Sequence, residues 1–153
     1  RALGMRTVYE NRGGRLTGPE HVSLDALLAT SDVVSINCPL TEETRDLLDA
    51  GRLAQMKPDA IIVNTGRGGI VNEAALIAAL QAGRLGGAAL DVVVNEPVRP
   101  DDPLFALIER DDFILNPHVA WSSDDAMQTL ISGAIDNITR FVTERSEASV
   151  PAS

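Results

Sequence analysis

The chain has 153 residues, of which 44% are hydrophobic and 23% are charged, a composition typical of a globular domain. Its formal net charge of -9 excludes the basic surface that binds nucleic acid or an anionic membrane. A single cysteine, Cys38, excludes an internal disulfide, and no apolar run reaches the roughly 20 residues of a membrane span, so a cytoplasmic protein is expected.

Short apolar segments rich in valine and isoleucine recur along the chain and predict β-strands. They comprise residues 5–9, 32–38, 60–64, 88–93 and 113–116. Most are apolar at successive positions rather than at alternate ones. This pattern is typical of strands in a parallel sheet whose faces are both covered by helices.

Amphipathic segments lie between these strands and predict helices. Residues suited to N-terminal capping precede them, namely Ser23, Asp49, Asn72 and the pair Ser122 and Ser123. Gly83 is placed to end the helix that Asn72 begins. The longest helix is predicted to follow Ser123 and to end at about Arg145.

The alternation of strands and helices predicts an α/β fold with a doubly wound parallel sheet of the Rossmann type. Residues 1–121 are expected to form this domain, residues 122–145 a C-terminal helix that returns toward a further domain, and residues 146–153 a disordered tail. A dinucleotide-binding fold opens with a strand that leads into a G-x-G-x-x-G turn, and no segment of this sequence matches that combination. The sheet is therefore expected to lack its first strand, which would lie between the first and third predicted strands.

Three polar side chains each follow one of the predicted strands: Arg67, Glu96 and His118. Open α/β sheets bind ligands at the carboxyl ends of their strands, so a cation, a carboxylate and an imidazole are expected at one edge. Taken singly, each residue has an ordinary interpretation. Arg67 would be a solvated loop residue, Glu96 a turn residue and His118 a hydrogen-bonded core histidine.

An ordered series of motifs contains these residues and extends over the chain to about residue 143. It comprises ALGM at 2–5, CPLT at 38–41, MKP at 56–58, NTGRGG at 64–69, GAALDV at 87–92, NEP at 95–97 and PHVAW at 117–121. The series resembles the D-isomer-specific 2-hydroxyacid dehydrogenases, which include glycerate dehydrogenases and glyoxylate and hydroxypyruvate reductases. The related formate dehydrogenases fit less well, because they lack the glutamate present here as Glu96.

The resemblance implies an oxidoreductase that transfers a hydride between NAD(P)H and a small 2-keto or 2-hydroxy acid, with no metal. By motif, Arg67, Glu96 and His118 occupy the catalytic positions of the family. A guanidinium fork suits the carboxylate and carbonyl oxygens of such a substrate. An imidazole, with an ordinary pKa of about 6.5, can exchange the proton, and a paired Glu96 would fix its tautomer and favour its charged form.

The resemblance also implies a set of cofactor contacts, namely Asn11, Arg12, Cys38, Pro39, Thr65, Gly66, Arg67, Asp91, His118 and Ala120. Cys38 is expected on the adenine side of the groove, with burial in the core as its equal alternative. Gly66 would let the backbone approach the nicotinamide, and Asp91 would face the nicotinamide amide.

The residues that follow the first predicted strand bear on the preference between NAD and NADP. NAD enzymes place an acid there against the ribose 2′-hydroxyl, whereas the 2′-phosphate of NADP favours arginine. Counted from Gly4, that position is Asn11, followed by Arg12, which favours NADP. Glu10 keeps NAD as the alternative, because a shift of one residue would put a carboxylate there.

The substrate pocket is expected to include Arg67, His118 and Trp121, and to take glyoxylate or hydroxypyruvate. Trp121 resembles the tryptophan that follows the catalytic histidine in glycerate dehydrogenases and hydroxypyruvate reductases, with core or interface packing as its alternative. The same tryptophan occurs in the related C-terminal-binding corepressors. A non-catalytic, NAD(P)-sensing scaffold is therefore the alternative function.

The family carries an N-terminal substrate domain that this sequence lacks. The chain alone is therefore expected to be inactive, as part of a longer polypeptide, with a truncated gene product as the alternative. The full-length protein is expected to be a homodimer whose partners are small acids, with neither nucleic acid nor membrane among them.

Overall fold

The computed structural model describes residues 4–11 and 18–148. Its contacts divide the chain into two compact units, Arg1–His118 and Val119–Ser153. Strands and helices alternate along the first unit, and the second unit contains a long helix. The alternation predicted from the sequence is therefore confirmed.

Four parallel strands form the sheet of the described residues, in the spatial order β1-β2-β3-β4. They are β1 (Val33–Ile36), β2 (Ile61–Asn64), β3 (Gly87–Leu90) and β4 (Phe113–Leu115). β1, β2 and β4 each lie within a predicted apolar segment and are shorter than it, whereas β3 begins one residue before the predicted segment 88–93 and ends at Leu90. In particular, Asp91 lies beyond the end of β3 rather than within it.

The first predicted strand, residues 5–9, is wrong as an extended element. Within this segment only Tyr9 pairs, in a single parallel bridge with His21. The N–H of Tyr9 donates to the carbonyl of Glu20 at 3.0 Å, and the Tyr9 and His21 ring centroids are 5.8 Å apart. The segment has strand-like composition but no long partner strand among the described residues, so no ladder forms.

A groove of about 920 Å³ separates residues 4–11 from β1 and is lined by both. β1 pairs directly with β2, so the expected place of a further strand is also corrected. The unfilled space lies between residues 4–11 and β1, not between the first and third predicted strands. No described strand pairs with the β1 edge that faces this groove.

The helices are α1 (Leu24–Thr30), α2 (Ala50–Leu53), α3 (Glu73–Gln81) and α4 (Asp124–Ala148), with a 3-10 helix at Pro103–Leu107. Ser23, Asp49 and Asn72 each accept a backbone N–H of the following turn, which confirms the predicted caps. Gly83, with a φ of +63°, follows α3 as predicted. The 3-10 helix is not among the predicted elements, although Asp102 before a proline is a helix-start signal.

The long helix α4 belongs to the second unit. Its first turn follows Ser123, whose Oγ accepts the N–H of Ala126 at 3.3 Å. The helix continues past the predicted end at Arg145 to Ala148, so the start of the predicted tail is helical, and residues 149–153 lie outside the described residues. An exposed apolar stripe runs along α4: Leu130, Ile131, Ile135, Ile138, Phe141 and Val142. No helix in the described ranges combines the length and apolar character needed to cross a bilayer.

The two faces of the sheet differ in burial. Val34, Ile62 and Ala88 point to one face and are buried in the core with residues of α1 and α3. Alternate residues point to the other face, where Val33 is 50%, Ile61 41% and Ile114 58% exposed. The apolar runs predict that both faces are covered, whereas only one face of the described sheet is buried.

Candidate active site

The loops that follow the strands meet at the carboxyl edge of the sheet, because all the strands are parallel. β1 leads to Cys38, β2 to Arg67, β3 to Glu96 and β4 to His118. Residues that are far apart in the sequence are therefore placed along one edge, as predicted.

Glu96 and His118 form a direct side-chain pair. Oε2 of Glu96 lies 2.8 Å from Nδ1 of His118, and the side chains are 37% and 41% exposed, respectively. When the carboxylate is ionised, Nδ1 of His118 carries a hydrogen and donates a hydrogen bond to Glu96. Proton exchange with a ligand would therefore take place at Nε2. This hydrogen bond holds the pKa of Glu96 below its ordinary value of 4.5, against the opposing effects of desolvation and of Asp91.

The backbone of His118 lies in the left-handed region, with a φ of +55°. Non-glycine residues seldom adopt this conformation, although histidine tolerates it better than most. Such backbone persists where the surrounding structure fixes it, and it is concentrated at functional sites. The His118 conformation therefore agrees with a positioned side chain rather than with an ordinary loop residue.

A buried asparagine shapes the turn that carries Arg67. Asn64 is 2% exposed, its Nδ2 donates to the carbonyl of Arg67 at 3.0 Å, and its Oδ1 accepts from the N–H of Gly66 at 3.1 Å. The guanidinium of Arg67 donates to the Gly66 carbonyl at 2.7 Å and makes no ion pair within the described ranges. Asn64 is not among the predicted site residues, although a polar residue at the end of an apolar strand is a visible signal.

Gly68 packs directly against the segment that follows β3. A Cβ at this position would lie 1.9 Å from the carbonyl oxygen of Val93. Only glycine fits so close to the Val93 backbone. The lack of a side chain at Gly68 therefore allows the loop that carries Arg67 to lie against the loop that leads to Glu96.

The loops after β1 and β2 line a shallow, open cavity of about 560 Å³, which lies in the size range of small-molecule and cofactor sites. Its lining includes the predicted cofactor residues Cys38, Pro39, Thr65, Gly66 and Arg67. A Cβ on Gly66 would lie 3.3 Å from the Ile36 carbonyl oxygen, so the backbone is closely packed there. Cys38 is half-buried and also packs against the core. The residues present fit part of a dinucleotide.

A second cavity, of about 600 Å³, adjoins the Glu96–His118 pair. Asp91, which is 5% exposed, lines it together with both members of the pair. Apolar side chains form much of the remaining wall, including Val98, Phe105, Ile108 and Leu115. Three of the predicted site residues thus border one space.

The remaining predicted site residues belong to other parts of the chain. Asn11 lines the groove beside β1, and Arg12 lies outside the described residues. Ala120 and Trp121 belong to the second unit. Trp121 is 54% exposed, which argues against its burial in a core.

Parallel α/β topology, a nucleotide-sized cavity and the Glu96–His118 pair at the carboxyl edge together define a dinucleotide-binding domain of the Rossmann class. The family model described as D-isomer specific 2-hydroxyacid dehydrogenase, NAD binding domain, matches residues 1–120. The chain belongs to this family.

Similar curated proteins come from several branches of the family. The chain is 42% identical over 131 residues to a glycerate dehydrogenase of Methylorubrum extorquens, a match that covers 86% of the chain and 41% of the relative. It is 40% identical over 146 residues to a glyoxylate reductase of Aeropyrum pernix, covering 92% of the chain and 43% of the relative. The chain therefore spans less than half the length of these relatives.

Solved structures with either nicotinamide cofactor resemble the chain. An acyclic imino acid reductase in complex with NADPH and D-Arg matches with a TM-score of 0.83 and 30% identity, covering 94% of this chain and 45% of that one. A D-lactate dehydrogenase from Aquifex aeolicus, complexed with NAD and lactic acid, matches with a TM-score of 0.75 and 29% identity, covering 86% and 45%.

Proposed function

We propose that this chain is the cofactor-binding and acid/base part of an NAD(P)-dependent D-2-hydroxyacid dehydrogenase that reduces glyoxylate or hydroxypyruvate. The observation that carries the proposal is the 2.8 Å contact between Glu96 and His118, at the edge where Arg67 also lies. Relatives named glycerate dehydrogenase, glyoxylate reductase and hydroxypyruvate reductase support this substrate class.

The side chains of this edge suit the reduction of a 2-keto acid. When bound, NAD(P)H supplies the hydride that the carbonyl carbon accepts. The carbonyl oxygen gains negative charge in this step, and Nε2 of His118 donates the proton that neutralises it. Glu96, bonded at Nδ1, orients the ring and stabilises its protonated form. Arg67 binds the substrate carboxylate and fixes the orientation of the carbonyl.

The cofactor would lie along the two cavities at the carboxyl edge. Cys38, Pro39, Thr65 and Gly66 border the first, where we place the dinucleotide, and Asp91 borders the second, where we place the nicotinamide amide. These assignments rest on the lining of the cavities and on the motifs, whereas the assignment of Ala120 to the cofactor rests on the motif PHVAW alone.

We propose NADP as the preferred cofactor, because Asn11 and Arg12 replace the acid that would bind a ribose 2′-hydroxyl. Arg12→Asp should raise the Kd of NADPH at least about tenfold while leaving the Kd of NADH unchanged or lower, since the carboxylate would repel the 2′-phosphate. Fluorescence titration of both cofactors measures the effect. An equal change in both constants would remove the basis for NADP.

The test of the function is reduction of glyoxylate and hydroxypyruvate by the full-length protein that carries this chain. His118→Gln should lower kcat/KM by about 10²- to 10⁴-fold, because the general acid is lost. His21→Gln is the matched control, since His21 is exposed and pairs with Tyr9 rather than with Glu96. Activity unaffected by His118→Gln would refute the assigned role.

A non-catalytic scaffold related to the corepressors makes a different prediction. It would bind NADPH or NADH with no turnover of any 2-keto acid, and His118→Gln would change neither property. The same titrations and rate measurements therefore separate the two functions.

We further propose that the chain is the C-terminal part of a longer, cytoplasmic and homodimeric protein. The groove beside β1 has room for a further parallel strand, and the apolar stripe of α4 would pack against the substrate domain. Light scattering of the full-length protein tests the dimer. Absence of turnover by residues 1–153 alone, restored in the full-length protein, would test the domain assignment.

A further inference from the structure

The carboxylate of Glu96 is held at both oxygens. Oε2 contacts Nδ1 of His118 at 2.8 Å, and Oε1 accepts the backbone N–H of Val93 at 3.1 Å. The direction of the carboxylate, and through it the direction of the imidazole, therefore depends on where the backbone at Val93 lies.

The next amide along this segment is fixed by a residue of a different element. The N–H of Val94 donates to Oε1 of Glu73 at 2.7 Å. Glu73 is the first residue of α3, directly after the capping residue Asn72. It thus joins the end of the connection that carries Arg67 to the segment that holds Glu96.

The surroundings of Glu73 disfavour the charged form of its carboxylate. Burial raises the pKa of the half-buried Glu73, and Asp102 and Asp46 raise it further, while the bond from Val94 acts in the opposite direction. An acid in the first turn of a helix is favourable by itself, but that benefit is equally available to a solvated side chain. The contact with Val94 is what distinguishes Glu73 from an ordinary first-turn acid.

We propose that Glu73 is a positioning residue for the acid/base pair, which holds the Val93–Val94 backbone so that Glu96 presents His118 in the catalytic orientation. The inference rests on the proposed dehydrogenase function. A neighbouring contact acts in the same sense, because Gly68 also packs against the backbone of Val93. Arg67 on one side and His118 on the other are thereby set relative to each other.

The experiment compares Glu73→Ala and Glu73→Gln in the full-length enzyme. Glu73→Ala removes the acceptor and should lower kcat about tenfold and displace the pH profile of kcat/KM, with the Kd of NADPH unchanged, because misorientation of the pair affects proton transfer rather than cofactor binding. Glu73→Gln keeps an amide oxygen that can accept the same bond, so it should retain the wild-type pH profile. Asp25→Ala is the control, since it removes a first-turn acid from α1.

Two results would overturn the assignment. One is a Glu73→Ala enzyme with wild-type kcat and pH profile, and the other is a Glu73→Gln enzyme as defective as Glu73→Ala. If the unsubstituted protein reduces no 2-keto acid, the proposed function fails, and amide hydrogen exchange still decides the positioning role. Exchange at Val93 and Val94 should then accelerate in Glu73→Ala but not in Glu73→Gln or Asp25→Ala, and equal protection in all variants would overturn it.

Discussion

Replacement of Gly68 by alanine tests the packing between the loop that carries Arg67 and the loop that leads to Glu96. The added Cβ would lie 1.9 Å from the Val93 carbonyl oxygen, where carbon and oxygen normally approach to about 3.3 Å. One backbone segment must therefore move by more than about 1 Å, because a carbonyl oxygen cannot rotate aside like a side chain. Overpacking of this kind costs up to about 3 kcal/mol, and loss of glycine entropy in the unfolded chain returns about 0.4–1 kcal/mol.

The net loss from Gly68→Ala should be about 2 kcal/mol, which lowers Tm by about 4–8 °C in a domain of this size. Thermal unfolding followed by circular dichroism measures this loss. Displacement of Arg67 relative to Glu96 should also reduce kcat/KM of the full-length enzyme by about tenfold or more. Gly51→Ala is the control, because its Cβ would meet only Asp49 Oδ1, at 3.4 Å, and the protein should be no less stable. A Gly68→Ala protein with unchanged Tm would refute the proposed packing.

Three further substitutions test the site and the fold. Glu96→Gln removes an acid whose pKa is lowered in the folded state. The wild type should therefore be more stable than the variant above pH 4.5, and this advantage should be lost as pH falls through the lowered pKa. Urea denaturation at several pH values measures the difference in stability, and a difference that does not change with pH would contradict the prediction. Arg67→Lys should raise the KM for the keto acid more than about tenfold while leaving the Kd of NADPH within about twofold, because the bidentate fork is lost; equal effects on both constants would argue against carboxylate binding. Asn72→Ala should cost about 1 kcal/mol in the free energy of unfolding through loss of the α3 cap, and an unchanged value would contradict the capping role.

Local patterns predicted most of the fold because each depends on nearby residues. A short apolar run forms a strand once neighbouring strands supply hydrogen bonds, and Ser23 or Asn72 caps a helix through a contact three residues away. Residues 5–9 show where this reasoning fails. Their composition favours a strand, but a strand also needs a partner, and within residues 4–11 and 18–148 the bridge from Tyr9 to His21 is the only pairing that this segment makes.

The common location of Arg67, Glu96 and His118 was predictable, because parallel strands place their carboxyl ends at one edge and only the positions of the strands were needed. The contacts that orient these residues were not predictable. Glu73 meets the backbone of a loop on another strand, and the closeness of Gly68 to Val93 depends on how two loops pack. Sequence patterns specify elements and their order, whereas such contacts depend on three-dimensional distances between loops.

The backbone at position 118 limits which residues can replace the histidine there. With a φ of +55°, the position accepts glycine, asparagine or aspartate with little penalty, whereas valine or isoleucine would be strongly disfavoured. Replacing residue 118 by every other amino acid would therefore separate two requirements, a side chain compatible with the left-handed backbone and a side chain able to exchange a proton. Asparagine is the informative replacement, since it satisfies the first requirement and fails the second, so a loss of turnover would be attributable to chemistry alone.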